Sequence, residues 1–187
     1  PTAPYAEKVS NYLVEVYMNT RSYEAALKSI ERIAKPSAQI MEAKQKILFQ
    51  LGTQSFANAN FEQALQYLNQ SIAIGQYNRQ TKADAYYWCG ESYYRLNRMM
   101  EAARDFNAYL QLTTQPNNEM YALANYNLGY IAFHRKDYTQ ASNYFQKYIQ
   151  LEKGENRTAL ADAYNRIGDC HLNVRNFEEA KHYYSQA

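Results

Sequence analysis

The chain has 187 residues, 47% hydrophobic and 20% charged, with 20 Lys plus Arg against 18 Asp plus Glu and a formal charge of +2. That balance is globular, so it excludes a disordered chain or a collagen-like fibre, and the near-even charge lacks the basic footprint of a nucleic-acid binder. A mean hydropathy of −0.68 and the want of any apolar run near ~18 residues exclude a bilayer-spanning helix in these residues. Tyr is present 20 times beside one Trp, six Gly and four Pro, which predicts long helices with few breaks and much packing surface that carries a hydroxyl tip. Because the chain opens on Pro1 rather than Met, it reads as an excised piece whose targeting signals are not in view.

The predicted elements follow a frame that recurs down the chain. Its weakest copy starts at Glu7, with Ser10 at position 4 and Val14 at position 8. The second starts at Gln45 and carries Leu51, Gly52, Ala64 and Leu68; the third, from Ala83, carries Tyr86, Gly90 and Ala102. The fourth, from Ala122, carries Leu128, Gly129, Ala141 and Phe145, and the fifth, from Ala161, carries Tyr164, Gly168 and Ala180. The starts are 38, 38, 39 and 39 residues apart.

These residues resemble the tetratricopeptide repeat, whose pattern is a large residue at position 4, Leu-Gly at 7 and 8, Tyr at 11, Ala at 20, a large residue at 24 and Pro near 32. The family unit is ~34 residues, so four or five are added per repeat here, and they are expected to lengthen the start of each first helix, as at Thr81-Lys82 and Arg157 to Leu160. The resemblance implies an all-α, right-handed superhelical solenoid of antiparallel helix pairs, with residues 1–187 forming one array. Its ~38-residue spacing and phrases such as Tyr86 to Tyr94 are similar to repeats of bacterial cell-envelope proteins, including outer-membrane assembly lipoproteins.

The physics of the pattern leads to the same helices. Positions 4, 7, 8 and 11, and again 17, 20, 24 and 27, follow helical spacing, so each repeat reads as two facing amphipathic helices. Glycine inside a helix costs about 1 kcal/mol relative to Ala; its recurrence at Gly52, Gly90, Gly129 and Gly168 predicts close contact, with Ala26, Ala64, Ala102, Ala141 and Ala180 as the small residues opposite. Pro36, Gly75, Pro116 and Gly154 are expected to close each second helix, and Asn60, Asn97, Asp137 and Asn176 to supply turn or cap chemistry within each pair. The last copy stops at position 27; the expectation is that the natural chain continues and that this end self-associates.

Nothing in the sequence proposes a reaction or a cofactor. No phosphate loop, nucleophile elbow, HExxH helix or CxxC pair occurs. Cys170-His171 falls on a core position, and two cysteines with three histidines are a poor source for the ~four convergent ligands of zinc. Cys89 and Cys170 lie two repeats apart, too far to bridge, so both read as buried thiols. Asn69-Gln70-Ser71 and Asn156-Arg157-Thr158 match the glycosylation pattern, as chance supplies in an Asn-rich chain.

What the family resemblance implies about function is a groove lined by positions 2, 5, 9, 12 and 13 of the first helices. The candidate ligand-binding residues are Phe49 and Phe56 of repeat two; Tyr87, Glu91, Tyr94 and Arg95 of repeat three; and Tyr126, Tyr130, Phe133 and His134 of repeat four, with Trp88 at the border. Aromatic and Arg side chains dominate binding hot spots. The outer repeats are more polar, with Lys8, Asn11, Glu15, Met18 and Asn19 first and Asp162, Asn165, Asp169, Leu172 and Asn173 last. Co-chaperone members clamp an acidic tail with Lys at position 5 and Asn at position 9; here those positions hold Asn11 with Glu15, Phe49 with Thr53, Tyr87 with Glu91, Tyr126 with Tyr130 and Asn165 with Asp169. The clamp is absent, and the carboxylates favour a neutral or basic partner. The leading expectation is a non-catalytic scaffold for a protein or peptide. Glycan binding by the aromatic patch and a structural or self-associating module are the alternatives.

Overall fold

The computed structural model describes residues 13–14, 21–116 and 118–187. The start of the frame at Glu7, Ser10, and the repeat-one groove residues Lys8, Asn11, Glu15, Met18 and Asn19 lie outside the described residues. Among the described residues there are nine bounded α-helices: α1 Tyr23–Glu31, α2 Ala38–Ala57, α3 Phe61–Ala73, α4 Arg79–Arg95, α5 Met99–Leu112, α6 Glu119–His134, α7 Tyr138–Leu151, α8 Arg157–Asn173 and α9 Phe177–Gln186. They gather into two compact units, one up to Thr113 and one from Thr114 onward, where the repeat pattern alone reads a single array.

The pairs α2/α3, α4/α5, α6/α7 and α8/α9 are repeats two to five, and α1 is the second helix of repeat one. The first helices run 20, 17, 16 and 17 residues, lengthened at their starts as the spacing requires. Each lengthened start has its own cap: the side chains of Ser37, Asn78, Asn118 and Asn156 accept from the N–H of Ile40, Thr81, Tyr121 and Ala159 at 2.9 to 3.2 Å, satisfying one of the donors a helix leaves open. Asn60 and Asp137 cap α3 and α7 in the same way. Asn97 and Asn176 do not: Asn97 adopts a left-handed turn, and Asn176 precedes α9 without a side-chain cap bond.

The turn inside each repeat is the same device five times. Arg21, Ala59, Asn97, Lys136 and Arg175, all at position 15, have φ between 57° and 63°. In the four turns from Ala59 onward that residue's N–H bonds three back and the next N–H bonds five back, as in Ala59 to Phe56 and Asn60 to Ser55, which is the Schellman closure of a helix. The recurrence at Arg21 carries the frame into the described part of repeat one.

Packing follows the frame with one correction. The position-20 alanines are buried, yet the closest approach of each glycine is to another residue; Ala64 comes third at Gly52, through its carbonyl oxygen at 3.4 Å. A Cβ on Gly52, Gly90, Gly129 or Gly168 would meet Leu68, Phe106, Phe145 or Tyr184 at 2.5 to 2.8 Å. Each glycine therefore makes room for the large residue at position 24 of its partner helix: the contact is small against large. In the first unit Ile47 and Leu51 of α2 pack with Ala26 and Ile30 of α1. In the second, Ala163 and Ile167 of α8 pack with Ala141, Phe145 and Tyr148 of α7.

Gln45 and Asp105 are the two largest polar side chains fully buried in the first unit. Gln45 donates from Nε2 to the Asn78 carbonyl at 2.8 Å while its backbone carbonyl accepts from Ser71 Oγ at 2.8 Å, and Asn78 Nδ2 donates to Glu42 Oε1 at 3.0 Å. Asp105, buried on α5, accepts from Arg104 Nε at 3.0 Å through Oδ1 while Oδ2 has no hydrogen-bond partner; burial pushes its carboxyl above the usual range.

Candidate functional site

In the first unit the candidate residues sit on α2 and α4. Phe56, half-buried near the end of α2, meets Phe61 at 5.2 Å and Trp88 of α4 at 5.0 Å, both edge to face. The exposed Arg95 guanidinium stands 5.7 Å above the Phe56 ring, a cation–π arrangement. Phe49, Glu91 and Tyr94 are half-buried; burial first, and then the Glu91 carboxylate, push the Tyr94 phenol up.

Tyr87 is placed differently from the stripe drawn through it. It is buried, packs edge to face on Phe106 and Tyr109 of α5 at 5.7 and 5.4 Å, and its hydroxyl donates to Glu91 Oε1 at 3.0 Å. At position 5 the ring turns inward beneath Trp88, so Tyr87 supports the face rather than presenting to it. Trp88 is half-buried between Tyr87 and Phe56.

In the second unit Tyr126 makes the same inward contact, with Phe145 at 5.9 Å and Tyr148 at 4.9 Å, but its hydroxyl emerges and donates to Asp162 Oδ2 of α8 at 2.6 Å. The Tyr130 hydroxyl donates to the same oxygen. Arg166 lies 3.5 Å from Asp162 Oδ1 and 2.7 Å from Asp169 Oδ2, and Tyr184 donates to Asp169 Oδ1. One polar chain thus runs from α6 across α8 to α9. Burial, reinforced by Asp162, pushes the Tyr130 phenol up to about 12 and Tyr126 further. Phe133 is half-buried against Tyr138 at 5.6 Å, and His134 is exposed beside Tyr130 and Phe133.

The sequence reading set Asp162 and Asp169 aside as polar ends; the structure makes them the acceptors that organise the tyrosines. The signal was the i, i+4 spacing of Asp162 to Arg166 and the i, i+3 spacing of Arg166 to Asp169.

His171 stacks on Tyr183 at 5.3 Å and 9°, a packing role. Cys89 and Cys170 are buried free thiols, and burial pushes both up, Cys170 to about 11. Among the described residues no group of three His, Cys, Asp or Glu is placed to hold a metal ion, and no helix is long and apolar enough to cross a membrane. A cavity of about 210 Å³ between α7 and α8, lined by Tyr138, Ser142, Gln146, Cys170, His171 and Val174 among others, contains none of the candidate groove residues.

Two family models, both described as tetratricopeptide repeat, match residues 49–119 and 119–187. No curated protein is significantly similar to the chain in sequence. Among solved structures, MamA is 18% identical with a TM-score of 0.63, covering 96% of this chain and 88% of that one. BtubC from P. vanneervenii is 12% identical with a TM-score of 0.66, covering 97% and 78%. YrrB, described as a TPR protein with an unusual peptide-binding site, is 16% identical with a TM-score of 0.62, covering 91% and 78%. At these identities the likeness is one of fold, an all-α helical-repeat solenoid. With two matching models spanning residues 49–187 and the frame visible in every helix pair, the chain belongs to the tetratricopeptide-repeat family, whose members are in general non-catalytic scaffolds for protein–protein interaction.

Proposed function

We propose that this chain holds a neutral or basic peptide segment against the outward faces of its first helices. The observation that carries the reading is the composition of those faces: a partly exposed ring stands beside a carboxylate in each unit, Tyr94 with Glu91 in the first and Tyr130 with Asp162 in the second. Such rings supply contact area at low entropic cost, and the carboxylates, Asp162 and Asp169 being already paired with Arg166, disfavour an acidic tail more than they reward a basic one. The peptide-binding site named for YrrB supports the class of partner. Tyr87 and Tyr126 act beneath the surface, holding Glu91 and Asp162 in place. Phe49, Arg95, Phe133 and His134 complete the two faces.

The test is selection from a displayed peptide library, comparing the wild type with Phe56→Ala/Tyr94→Ala and with Tyr130→Ala/His134→Ala, each matched for thermal stability. Sequences enriched by the wild type, poor in Asp and Glu and lost in one variant or both, are the expected result. No enrichment, or equal retention by all three proteins, overturns the reading.

A further inference from the structure

We infer that the cavity between α7 and α8 is a binding site for a small neutral ring that carries a carboxamide. The cavity belongs to the junction of repeats four and five: Tyr138, Ser142 and Gln146 of α7 form one wall, and Cys170 and His171 of α8, with Val174 at its end, form the other. The repeat frame shows how the space arises. At the junction of repeats two and three, position 21 of the earlier repeat is Leu65 and position 11 of the later one is Tyr93, both buried. Between repeats four and five the same positions hold Ser142 and His171, each a smaller side chain, and His171 stacks on Tyr183 of its own repeat at 5.3 Å and 9°. About 210 Å³ is left between the helices.

The polar groups on this space have a definite pattern. Ser142 is 8% exposed. The buried Ser55 and Ser92 give their hydroxyl protons to the carbonyl four residues back, of Leu51 and Trp88. Ser142 instead accepts from Gln146 Nε2 at 3.0 Å and leaves its own proton for the cavity, while Gln146 keeps Oε1 as an acceptor. A proton to donate and an oxygen to receive, on neighbouring side chains, match the C=O and N–H of a carboxamide. A wholly apolar occupant would leave both groups unmet, which costs free energy in a buried place. Among the described residues no Lys, Arg, Asp or Glu lines the cavity, so an ion would lose its water without gaining a counter-charge. Tyr138, Cys170, Val174 and the His171 ring supply contact area for a ring face. A cavity of ~150 Å³ admits benzene, and the additional space takes the carboxamide.

The experiment is a titration of the isotope-labelled chain, read by backbone and side-chain amide NMR shifts, with benzamide, benzoate and toluene, which share one ring and differ in the group it carries. A fourth probe, N-acetylglutamine amide, presents the carboxamide as the side chain of a partner would. Benzamide is expected to shift Ser142, Gln146, Cys170 and His171 saturably in the millimolar range, as ligand efficiency allows a molecule of this size, with the other three at least about tenfold weaker. Ser142→Ala removes the donor without filling the space and should weaken benzamide about fivefold, the worth of one hydrogen bond. Ser142→Leu installs the residue that repeat two carries at position 21 and should abolish binding. Thermal melts establish that both variants fold, and Ser142→Ala decides alone if Ser142→Leu does not. No saturable shift with benzamide, benzoate or toluene binding as tightly, or benzamide affinity unchanged by Ser142→Ala overturns the inference. Tighter binding of N-acetylglutamine amide overturns it too, in favour of a partner's side chain.

Discussion

Gly129 lies directly against the ring of Phe145: a Cβ at Gly129 would fall 2.8 Å from Cε1 of a side chain that has no solvent-exposed surface. The equivalent pair at the other end of the second unit is Gly168 and Tyr184, where the approach is 2.7 Å but the ring is partly exposed and can swing outward. Gly129→Ala is expected to cost about 1 to 3 kcal/mol through overpacking. In Gly168→Ala the helix-propensity gain of about 1 kcal/mol offsets the displaced ring. Thermal unfolding of the two variants checks the contrast, and equal melting temperatures would refute it.

The position-15 turns hold side chains where glycine is at ease. A left-handed residue with a Cβ costs about 1 to 2 kcal/mol, and glycine there returns part of it through a freer unfolded chain. Lys136→Gly and Ala59→Gly, at φ 62° and 59°, are expected to stabilise by about 0.5 to 1 kcal/mol each. Urea unfolding should show a higher midpoint at an unchanged slope; a lower midpoint would mean that the side chain contributes more than its backbone costs.

Burial raises the Asp105 carboxyl in the folded chain above its unfolded value of about 3.9. A raised folded value means that the protonated form is favoured on folding. The stability it contributes is complete below the unfolded value and is lost as pH rises through the folded one. Asp105→Asn removes that loss, so the variant should be the more stable protein at pH 7, with the advantage vanishing below about pH 4. Parallel stability curves for the two proteins between pH 4 and 7 would show that Arg104, 3.0 Å away, fully offsets the burial.

Tyr130 and Asp162 are coupled through a hydrogen bond to a charged acceptor, a class worth about 1.5 to 3 kcal/mol. A double-mutant cycle with Tyr130→Phe and Asp162→Ala should recover a coupling of about 1 kcal/mol or more, the Tyr126 bond to the same oxygen reducing it from the full value. A coupling near zero would make the contact incidental.

Both thiols are buried and shifted away from the thiolate. An aromatic disulfide reagent at pH 8 should therefore modify less than about a tenth of them in the native chain and both in denaturant. Rapid native labelling of Cys170, whose surroundings form the cavity between α7 and α8, would reveal local opening there.

The helix pairs were legible because Gly at position 8, Ala at 20 and a large residue at 24 repeat with a fixed spacing, and spacing survives in a string of letters. Partnership does not. Positions 20 and 24 share one helix face, and only the direction in which a helical side chain leans decides that Phe106, not Ala102, lies over Gly90. Tyr87 was misplaced for a similar reason: it stands at the margin of two stripes, and the room beside Tyr109 turned it inward. Asp105 was legible in principle, since position 23 holds Tyr67, Tyr144 and Tyr183 in the neighbouring repeats, and an acid among tyrosines marks a local exception. The link of Tyr126 and Tyr130 to Asp162 crosses 36 and 32 residues, a distance that no local pattern reports.

Asn78 is a single residue with three jobs: it caps α4 through Thr81, holds Glu42 with its amide, and offers its carbonyl to the buried Gln45. In a repeat protein, stability is close to a sum of intrinsic repeat terms and nearest-neighbour couplings. Asn78 belongs to both kinds of term at once, because the residue that caps the first helix of the third repeat is also bonded to the first helix of the second. Fraying at the start of α4 therefore breaks the bonds to Glu42 and Gln45 of α2 in the same event, and repeats two and three are expected to open together where their sequences alone describe two.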